Sequence, residues 1–385
     1  MFKKSNKSYT TFKILFLSFL IFSIISFILS SFYDLKINTW FAKGMDIYWL
    51  KILTWVYEEI GMTQSYLFIF LFIAIYFEIK VIEKKDKKIW KYVLWAFYSA
   101  VLIFWITANS IWIVTTTKID DGYGIGISGW FLESYDIRQI ILIVLFIIES
   151  FAIAAVFWYI RFIFIKKPYS ILCEYKVDTI KAFSAFIFTS LVVYLMKVIF
   201  GRPYFYSVDF ENIFYSDRVD PLWRQYWLET GHKIKSWGVI NQTTGRVNGV
   251  NYLEWWQIND FFSNIGDLFN PLGTGKAGWW NLDFPSGHMI SCFTMIYACY
   301  FFMGRNRKLN WKIWSAIIIW FIHLNIIQYT QIISRTHWIS DTSFSIILCL
   351  VVLIFNGRII DLLRQKIANN QKIKQNKQKN ITKAI

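Results

Sequence analysis

Residues 283–304 read DFPSGHMISCFTMIYACYFFMG, so a Pro-Ser-Gly-His turn opens directly into an apolar run. Residues 337–356, HWISDTSFSIILCLVVLIFN, have the same plan, with polar residues at the mouth of an apolar run. The chain has only four histidines, and two of them, His288 and His337, lie at these mouths. A helix that crosses a membrane needs about 20 apolar residues. The two stretches therefore predict membrane helices whose ends carry reactive side chains.

The composition extends this interpretation to the whole chain. Hydrophobic residues make up 56% of it and charged residues 17%, against roughly 45–50% apolar residues in soluble domains. About eight apolar runs are long enough to cross a bilayer, and in lipid such runs must be helical to satisfy their backbones. They are 14–32, 65–82, 92–115, 139–160, 181–200, 287–304, 313–333 and 338–356. We predict an all-α, polytopic membrane helical bundle with a long outer loop between helices five and six. A soluble protein would need many amphipathic helices to cover these runs, and they are absent.

The charge pattern predicts the orientation and the domains. Lysine and arginine concentrate in the N-terminus, in the connections 83–91, 161–181 and 305–312, and in the tail, while the alternate connections are neutral or acidic. Because positive residues stay cytoplasmic, both termini are predicted inside and residues 201–285 outside. The net charge of +16 then follows from topology and anionic lipid contact, and no nucleic-acid partner is expected. The predicted domains are additional transmembrane helices at 1–91, a core at 92–356 with its outer loop at 201–285, and a basic, mobile cytoplasmic tail at 357–385.

Three other patterns do not predict the features that they resemble. The first apolar run resembles a signal peptide, but SSFY at 30–33 is a poor cleavage site, which favours an uncleaved anchor. GIGISG at 124–129 has the spacing of a dinucleotide-binding loop, yet it lies in a predicted outer loop without the required strand and helix. The four cysteines show neither a disulfide framework nor a CxxC metal pattern.

The predicted topology brings three polar clusters to one outer surface. They are Lys197 with Arg202, Ser286 with Gly287 and His288, and His337 with Asp341. His337 and Asp341 are four residues apart and share a helix face. The carboxylate can hold one ring nitrogen as N–H and leave the other as a nucleophile.

The second cluster complements this nucleophile. Ser286 and Gly287 precede a predicted helix, whose first N–H groups and dipole attract an anion. His288 is placed to give a proton to a leaving oxygen, and Lys197 can neutralise a phosphate. Singly, an interfacial histidine is more often a polar anchor, and an interfacial lysine more often snorkels. Together, the clusters favour phosphate chemistry.

These motifs resemble the membrane-integral branch of the type 2 phosphatidic acid phosphatase superfamily. Its pattern is Lys, six residues and Arg-Pro; then Pro-Ser-Gly-His; then Ser-Arg, five residues, His, three residues and Asp, and the resemblance spans roughly 180–356. It implies six core helices, with the first two crossings as additions, and no metal or cofactor. It also implies that His337 forms a phosphohistidine, that Asp341 orients it, and that His288 protonates the leaving group and later activates water. Lys197, Ser286 and Gly287 would hold the phosphate.

Two positions depart from that pattern. Tyr204 and Gln331 stand where the family has arginine, while Arg202 and Arg335 lie at shifted positions nearby. We predict that local backbone irregularity brings Arg202 and Arg335 to the phosphate. Otherwise two phosphate-binding groups are missing.

The predicted function is a metal-independent membrane phosphatase. It would hydrolyse a phosphomonoester or pyrophosphate, with a lipid as the expected substrate, at the outer leaflet of the plasma membrane. The alternatives are a lipid headgroup transferase of the same superfamily and a catalytically silent lipid-phosphate-binding protein, which the missing arginines would favour. The aromatic-rich segment 201–285 is either a soluble cap at the membrane interface or a lid over an acyl or prenyl chain, and the two are compatible.

Overall fold

The protein is described by a computed structural model that covers residues 7–117, 135–217, 219, 221–231, 234–259, 262, 265–269, 281–302 and 309–384. Five long helices come first: α1 (Lys7–Ala42), α2 (Tyr48–Glu83), α3 (Ile89–Thr117), α4 (Tyr135–Phe162) and α5 (Tyr169–Phe200). Four short helices follow: α6 (Phe205–Val208), α7 (Phe210–Phe214), α8 (Pro221–Thr230) and α9 (Ile234–Trp237). After a hairpin of β1 (Gly238–Ile240) and β2 (Val247–Gly249) come α10 (Gly287–Thr294), α11 (Trp311–Ile333) and α12 (Ile339–Ala384).

The predicted all-α, polytopic membrane bundle is confirmed. Within the described residues, seven helices are long and apolar enough to cross a membrane. The run predicted at 287–304 forms a shorter apolar helix, because α10 passes at Met295 into a 3₁₀-helix that ends at Phe302. At about 1.5 and 2.0 Å per residue, these two pieces together span about 28 Å, close to the thickness of a hydrocarbon core. The exact number of crossings stays a prediction.

Helices α1 and α2 extend well beyond their predicted apolar runs at 14–32 and 65–82. Asp34, Lys51 and Glu58 interrupt the apolar pattern, but the fold buries all three inside the bundle. The tail is helical, because α12 continues to Ala384, while its mobility stays a prediction. Its Lys- and Gln-rich sequence contains no proline and consists largely of good helix formers.

Helix α2 lies at the centre of the bundle. It packs against α3, α4, α5, α10 and α11, while α1 packs along α12. The main apolar core includes Phe68 and Phe72 of α2, Met289 of α10 and Leu324 of α11. The division into additional helices at 1–91 and a core at 92–356 stays a prediction, but α1 and α2 are packed into the bundle.

The segment that follows α5 has its own aromatic core. Phe210, Trp227 and Trp237 are buried there, and the cluster rests on Trp55 of α2 and Ile333 of α11. The strands β1 and β2 pair antiparallel beside it. Residues 124–129 and 271–280 lie outside the described residues, so the proposed loop at 124–129 and a lid over a lipid chain both stay predictions.

Candidate active site

Lys197 lies in the last turn of α5. The helix ends at Gly201, which has φ 55° and donates its N–H to the Lys197 carbonyl at 3.0 Å. A side chain at Gly201 would strain this left-handed residue, and its Cβ would lie 2.9 Å from the Asn259 carbonyl oxygen. Lys197 Nζ donates to the carbonyl oxygen of Leu282 and, at 2.9 Å, to that of Asp283. The ammonium group therefore holds the loop that leads into the Pro-Ser-Gly-His turn.

Ser286 caps α10 and ties it to two neighbouring helices. Its Oγ accepts from the Met289 N–H at 3.4 Å and donates to Gln331 Oε1 on α11 at 3.0 Å. Its carbonyl accepts from Ser345 Oγ on α12 at 3.0 Å. Gly287 is the first residue of α10, and an added Cβ there would meet nothing within 4 Å. The helix N-terminus thus faces open space, where unpaired N–H groups favour an anion.

The turn between α11 and α12 presents His337. After α11 ends at Ile333, Arg335 adopts φ 61°, a left-handed conformation that costs about 1–2 kcal/mol for a residue with a Cβ. The chain then folds back, so that the N–H groups of Thr336 and His337 both donate to the Gln331 carbonyl, at 3.1 and 3.2 Å. This irregular turn places the His337 ring inside the bundle, where only 3% of the residue is exposed.

Helix α1 fixes the backbone on both sides of this ring. Asn38 Nδ2 donates to the His337 carbonyl at 3.0 Å, and Asn38 Oδ1 accepts from the Ile339 N–H at 3.2 Å. Asp34 Oδ1 accepts from the Ser340 N–H at 3.3 Å. Two N–H groups in the first turn of α12 are therefore capped by side chains of another helix, which supplies partners that a helix start lacks.

The His337 ring lies between two carboxylates and a second histidine. Nδ1 makes a close contact with Asp283 Oδ1 and lies 3.7 Å from Asp341 Oδ2. Since Nδ1 faces the carboxylates, Nε2 is the ring nitrogen turned away from them. The rings of His288 and His337 are 6.0 Å apart between centroids, and the Tyr204 ring is 5.7 Å from that of His337.

His288 is held by α2. Its Nε2 lies 3.6 Å from Glu58 Oε1. A Cβ at Gly61 would come within 2.6 Å of His288 Cδ2, so the ring packs directly against the α2 backbone. His323 of α11 pairs with Gln64 of α2 at 3.0 Å.

Arg202 is completely buried behind Asp341. Its Nη1 donates to Asp341 Oδ1 and to Ser340 Oγ, both at 2.7 Å, and its Nη2 donates to Asp34 Oδ2 at 2.9 Å. Its Nε donates to the Leu253 carbonyl at 3.0 Å. The predicted phosphate-binding role of Arg202 stays a prediction, but here its guanidinium binds carboxylates.

The structure brings His337, His288, Asp341, Lys197, Ser286 and Gly287 together at one end of the bundle. Arg335 turns towards the segment that follows α5, where its Nε donates to Asp209 Oδ2. At the two family arginine positions, the Tyr204 hydroxyl donates to the Leu282 carbonyl at 3.2 Å and Gln331 accepts from Ser286.

Carboxylates outnumber fixed cations in this network. Asp34, Glu58, Asp283 and Asp341 are buried there, against Lys197 and Arg202. Burial raises the pKa of Asp283 well above its ordinary value, and the nearby Asp341 adds repulsion. Burial lowers the pKa of His337. Burial therefore disfavours the charged form of both side chains.

The same groups could coordinate a cation. Asp283, His337 and Asp341 each offer a ligand atom, and these atoms lie within 4.8 Å of one another. Carboxylate and imidazole are ligands for several divalent metals. The expectation that the protein needs no metal therefore has to be tested directly.

A small cavity adjoins the site. It has a volume of about 160 Å³ and is lined by Lys197, Gly287 and the hydroxyl-bearing residues Ser65, Ser190 and Ser291. The cavity lies between α2, α5 and α10, next to the helix N-terminus that the sequence predicted as an anion site. It provides space beside the Lys197 ammonium group.

The comparisons with known proteins agree with this geometry. A model of the PAP2 superfamily matches residues 178–361, which hold all eight predicted site residues. This segment belongs to the PAP2 superfamily. The match confirms the family predicted from the three motifs. A protein of Mycoplasma capricolum subsp. capricolum, described as uncharacterized, is 28% identical over 364 residues, which cover 89% of this chain and 90% of that protein. No solved structure matches the chain.

Sequence reasoning missed the site residues outside the PAP2 segment. Asp34, Asn38, Glu58 and Gly61 belong to α1 and α2, and Asp283 was noted only as the start of a motif. One signal was available for Asp34 and Glu58, because ionisable residues next to apolar runs are costly in a membrane and usually functional.

Proposed function

We propose that the protein is a membrane phosphatase that hydrolyses a lipid phosphomonoester or pyrophosphate through a phosphohistidine at His337. PAP2 membership supports a phosphatase-type activity. The observation that carries the proposal is the pair of facing histidines, 6.0 Å apart, each in contact with a buried carboxylate. Lys197 and the N-terminus of α10 lie beside them. This arrangement offers a nucleophile, a proton donor and an anion site within one small space.

The chemistry takes two steps. In the first, the lone pair of His337 Nε2 forms a bond to phosphorus while the P–O bond to the leaving group breaks. The leaving oxygen keeps that electron pair and takes a proton from His288. In the second, His288 removes a proton from water, whose oxygen attacks phosphorus. The P–N bond breaks, its electron pair returns to His337, and inorganic phosphate leaves. Glu58 supplies a counter-charge for the His288 imidazolium that the first step requires.

The decisive experiment measures phosphate release by the purified protein in lipid nanodiscs. The substrates are a panel of lipid monophosphates, a prenyl pyrophosphate and a soluble sugar phosphate. We expect release from at least one lipid and its loss in His337→Gln. The matched control is His323→Gln, which removes a histidine of α11 that pairs with Gln64 rather than with a predicted site residue. Activity that survives His337→Gln would refute the nucleophile.

Two arms of this experiment separate the neighbouring functions. EDTA should leave turnover unchanged. A loss of turnover in EDTA would indicate a metal at Asp283, His337 and Asp341. A headgroup transferase would release little phosphate alone and would phosphorylate an added alcohol acceptor instead.

A silent lipid-phosphate binder is the second candidate. It is favoured by the two arginines, since Arg202 and Arg335 both bind carboxylates and Tyr204 and Gln331 stand at the family positions. It predicts that the wild type binds lipid phosphates with turnover at background.

We further propose that the site faces the extracytoplasmic side of the plasma membrane and that both termini are cytoplasmic. The lysine and arginine distribution supports this orientation. Gly245, at the hairpin tip with nothing near its Cβ position, is suited to a small epitope insertion. The epitope should be accessible from outside intact cells, and one after Lys383 should not. The reverse pattern would place the site in the cytoplasm.

A further inference from the structure

The carboxylate four residues after His337 is already engaged. Asp341 Oδ1 accepts from Arg202 Nη1 at 2.7 Å, and Oδ2 accepts from the Trp338 N–H at 3.1 Å. The distance from Oδ2 to His337 Nδ1 is 3.7 Å, longer than a hydrogen bond. Both oxygens of Asp341 are therefore hydrogen-bonded to the buried arginine or to the backbone at the start of α12, and neither is hydrogen-bonded to the imidazole.

Asp283 has the opposite surroundings. Its side chain is fully buried, and no described residue donates a hydrogen bond to either of its oxygens. A buried carboxylate without donors is costly, and its closest polar neighbour is His337 Nδ1, which also has no hydrogen-bond partner among the described residues. The Leu282 and Asp283 carbonyls are fixed by Lys197, so the backbone holds this carboxylate in place.

We propose that Asp283 is the positioning residue for His337, holding the proton on Nδ1 so that Nε2 points to phosphorus, while Asp341 anchors Arg202. The inference rests on the proposed role of His337 as the nucleophile. It assigns the orienting function to the loop before α10 rather than to α12. The distances support it, because Nδ1 is closer to Asp283 than to Asp341, whose Oδ2 lies 3.7 Å away.

The alternative occupant of this position is a divalent cation. Asp283, His337 and Asp341 have suitable ligand atoms, but two cations already lie against them. Lys197 Nζ is 2.9 Å from the Asp283 carbonyl oxygen, and Arg202 is bound to Asp341. These positive charges oppose a further dication, whereas a proton shared between Asp283 and Nδ1 adds no net repulsion.

The first test needs no activity. With four histidines in the chain, ¹⁵N-histidine NMR in nanodiscs gives a small spectrum in which His337→Gln assigns the His337 signals. We expect Asp283→Asn to move the Nδ1 signal and to shift the tautomer balance, and Asp341→Asn to leave both nearly unchanged. Titration with Mg²⁺ or Zn²⁺ should not broaden the signal. The opposite ranking of the two variants, or broadening by metal, would overturn the assignment.

The second test follows turnover and the covalent intermediate. Asp283→Asn should lower kcat by roughly 10²–10⁴-fold with little change in KM, because the Lys197 contacts run through the backbone. The trapped wild-type phosphoenzyme should carry phosphorus on Nε2 alone, as read by isomer-specific antibodies, and Asp283→Asn should give a mixture. Asp178→Asn is the control, since Asp178 is a buried aspartate on the same helix as Lys197, about 28 Å away along α5.

Stability separates positioning from a structural role. Burial raises the pKa of Asp283, so ionising this carboxyl group destabilises the folded state. Its contribution to the free energy of unfolding therefore falls as the pH rises above the pKa that Asp283 has in the unfolded chain. The asparagine variant avoids that loss, so at pH 7 its Tm should equal or exceed the wild-type value. A lower Tm with unchanged isomer specificity would make Asp283 structural. If His337→Gln abolishes turnover but Asp283→Asn does not, this inference fails while the proposed function stands.

Discussion

The PAP2 segment at 178–361 and the two N-terminal helices contribute different things to one site. The segment supplies the groups that would meet a phosphate, namely Lys197, His288 and His337. Helices α1 and α2 supply side chains that hold those groups in place. Asn38 brackets the His337 backbone, and Glu58 contacts His288. The reactive groups and their supports thus lie in separate parts of the chain.

The charge on Arg202 shows why this separation matters. The guanidinium is fully buried and contacts Asp341 inside the PAP2 segment and Asp34 outside it. A buried cation needs good geometry and several partners to offset its desolvation. The segment alone offers one carboxylate, so α1 completes the neutralisation. The similarity to the Mycoplasma capricolum protein extends over most of the chain rather than the PAP2 segment alone.

The largest effect should come from removing Asp34. Asp34→Ala leaves Arg202 with one carboxylate and exposes the Ser340 N–H of α12, so we expect a loss of about 3–5 kcal/mol in the free energy of unfolding. Denaturant unfolding in detergent micelles measures it. The matched control is Asp361→Ala. It breaks an ion pair between Asp361 of α12, whose side chain is 46% exposed, and Lys181 of α5. That change should cost about 0–1 kcal/mol. Equal losses would mean that α1 merely flanks the site.

A smaller effect, on rate rather than stability, is expected at α2. Gly61→Ala places a Cβ 2.6 Å from His288 Cδ2, so the ring must shift from its position beside Glu58. We expect kcat to fall by roughly 10²-fold, the lower end of what a positioned general acid contributes. Steady-state kinetics in nanodiscs measure it. Gly357→Ala is the control, because its Cβ meets nothing within 4 Å, and its kcat should stay at the wild-type value. An unchanged kcat in Gly61→Ala would show that α2 does not hold the general acid.

The difference between the two regions also explains what could be predicted from the sequence. The apolar runs indicated the helices, because a span in lipid needs continuous hydrophobicity. The Pro-Ser-Gly-His turn and the His337–Asp341 spacing indicated the reactive groups, because their contacts are local in sequence. Asp34 lies 168 residues from Arg202, and no spacing rule connects such a pair.

The predicted boundaries of α1 and α2 were wrong because of buried polar residues. Buried polar residues such as Asp34, Lys51 and Glu58 lower the local hydropathy, so the predicted runs stopped short of the helices that carry the supporting residues. The left-handed conformation of Arg335 was not predicted either. Its side chain contacts Asp209 and its carbonyl accepts from the Tyr206 N–H, and both partners are distant in sequence.

The smallest effect is expected at Arg335, where the sequence and the geometry lead to different expectations. If Arg335 binds the phosphate, Arg335→Gln should lower kcat/KM by about 10²–10³-fold. Its Nε contact with Asp209 favours instead a role in holding the segment that follows α5 in place. We therefore expect Arg335→Gln to change kcat/KM by less than about 5-fold, the equivalent of 1 kcal/mol. Asp209→Asn weakens the same ion pair from the other side and is the matched variant. If both variants stay near wild type, Arg335 does not bind the phosphate. Lys197 and the N-terminus of α10 then remain the proposed phosphate-binding groups. If only Arg335→Gln falls by 10²-fold or more, the arginine leaves Asp209 when substrate binds, and the prediction from its sequence position is correct.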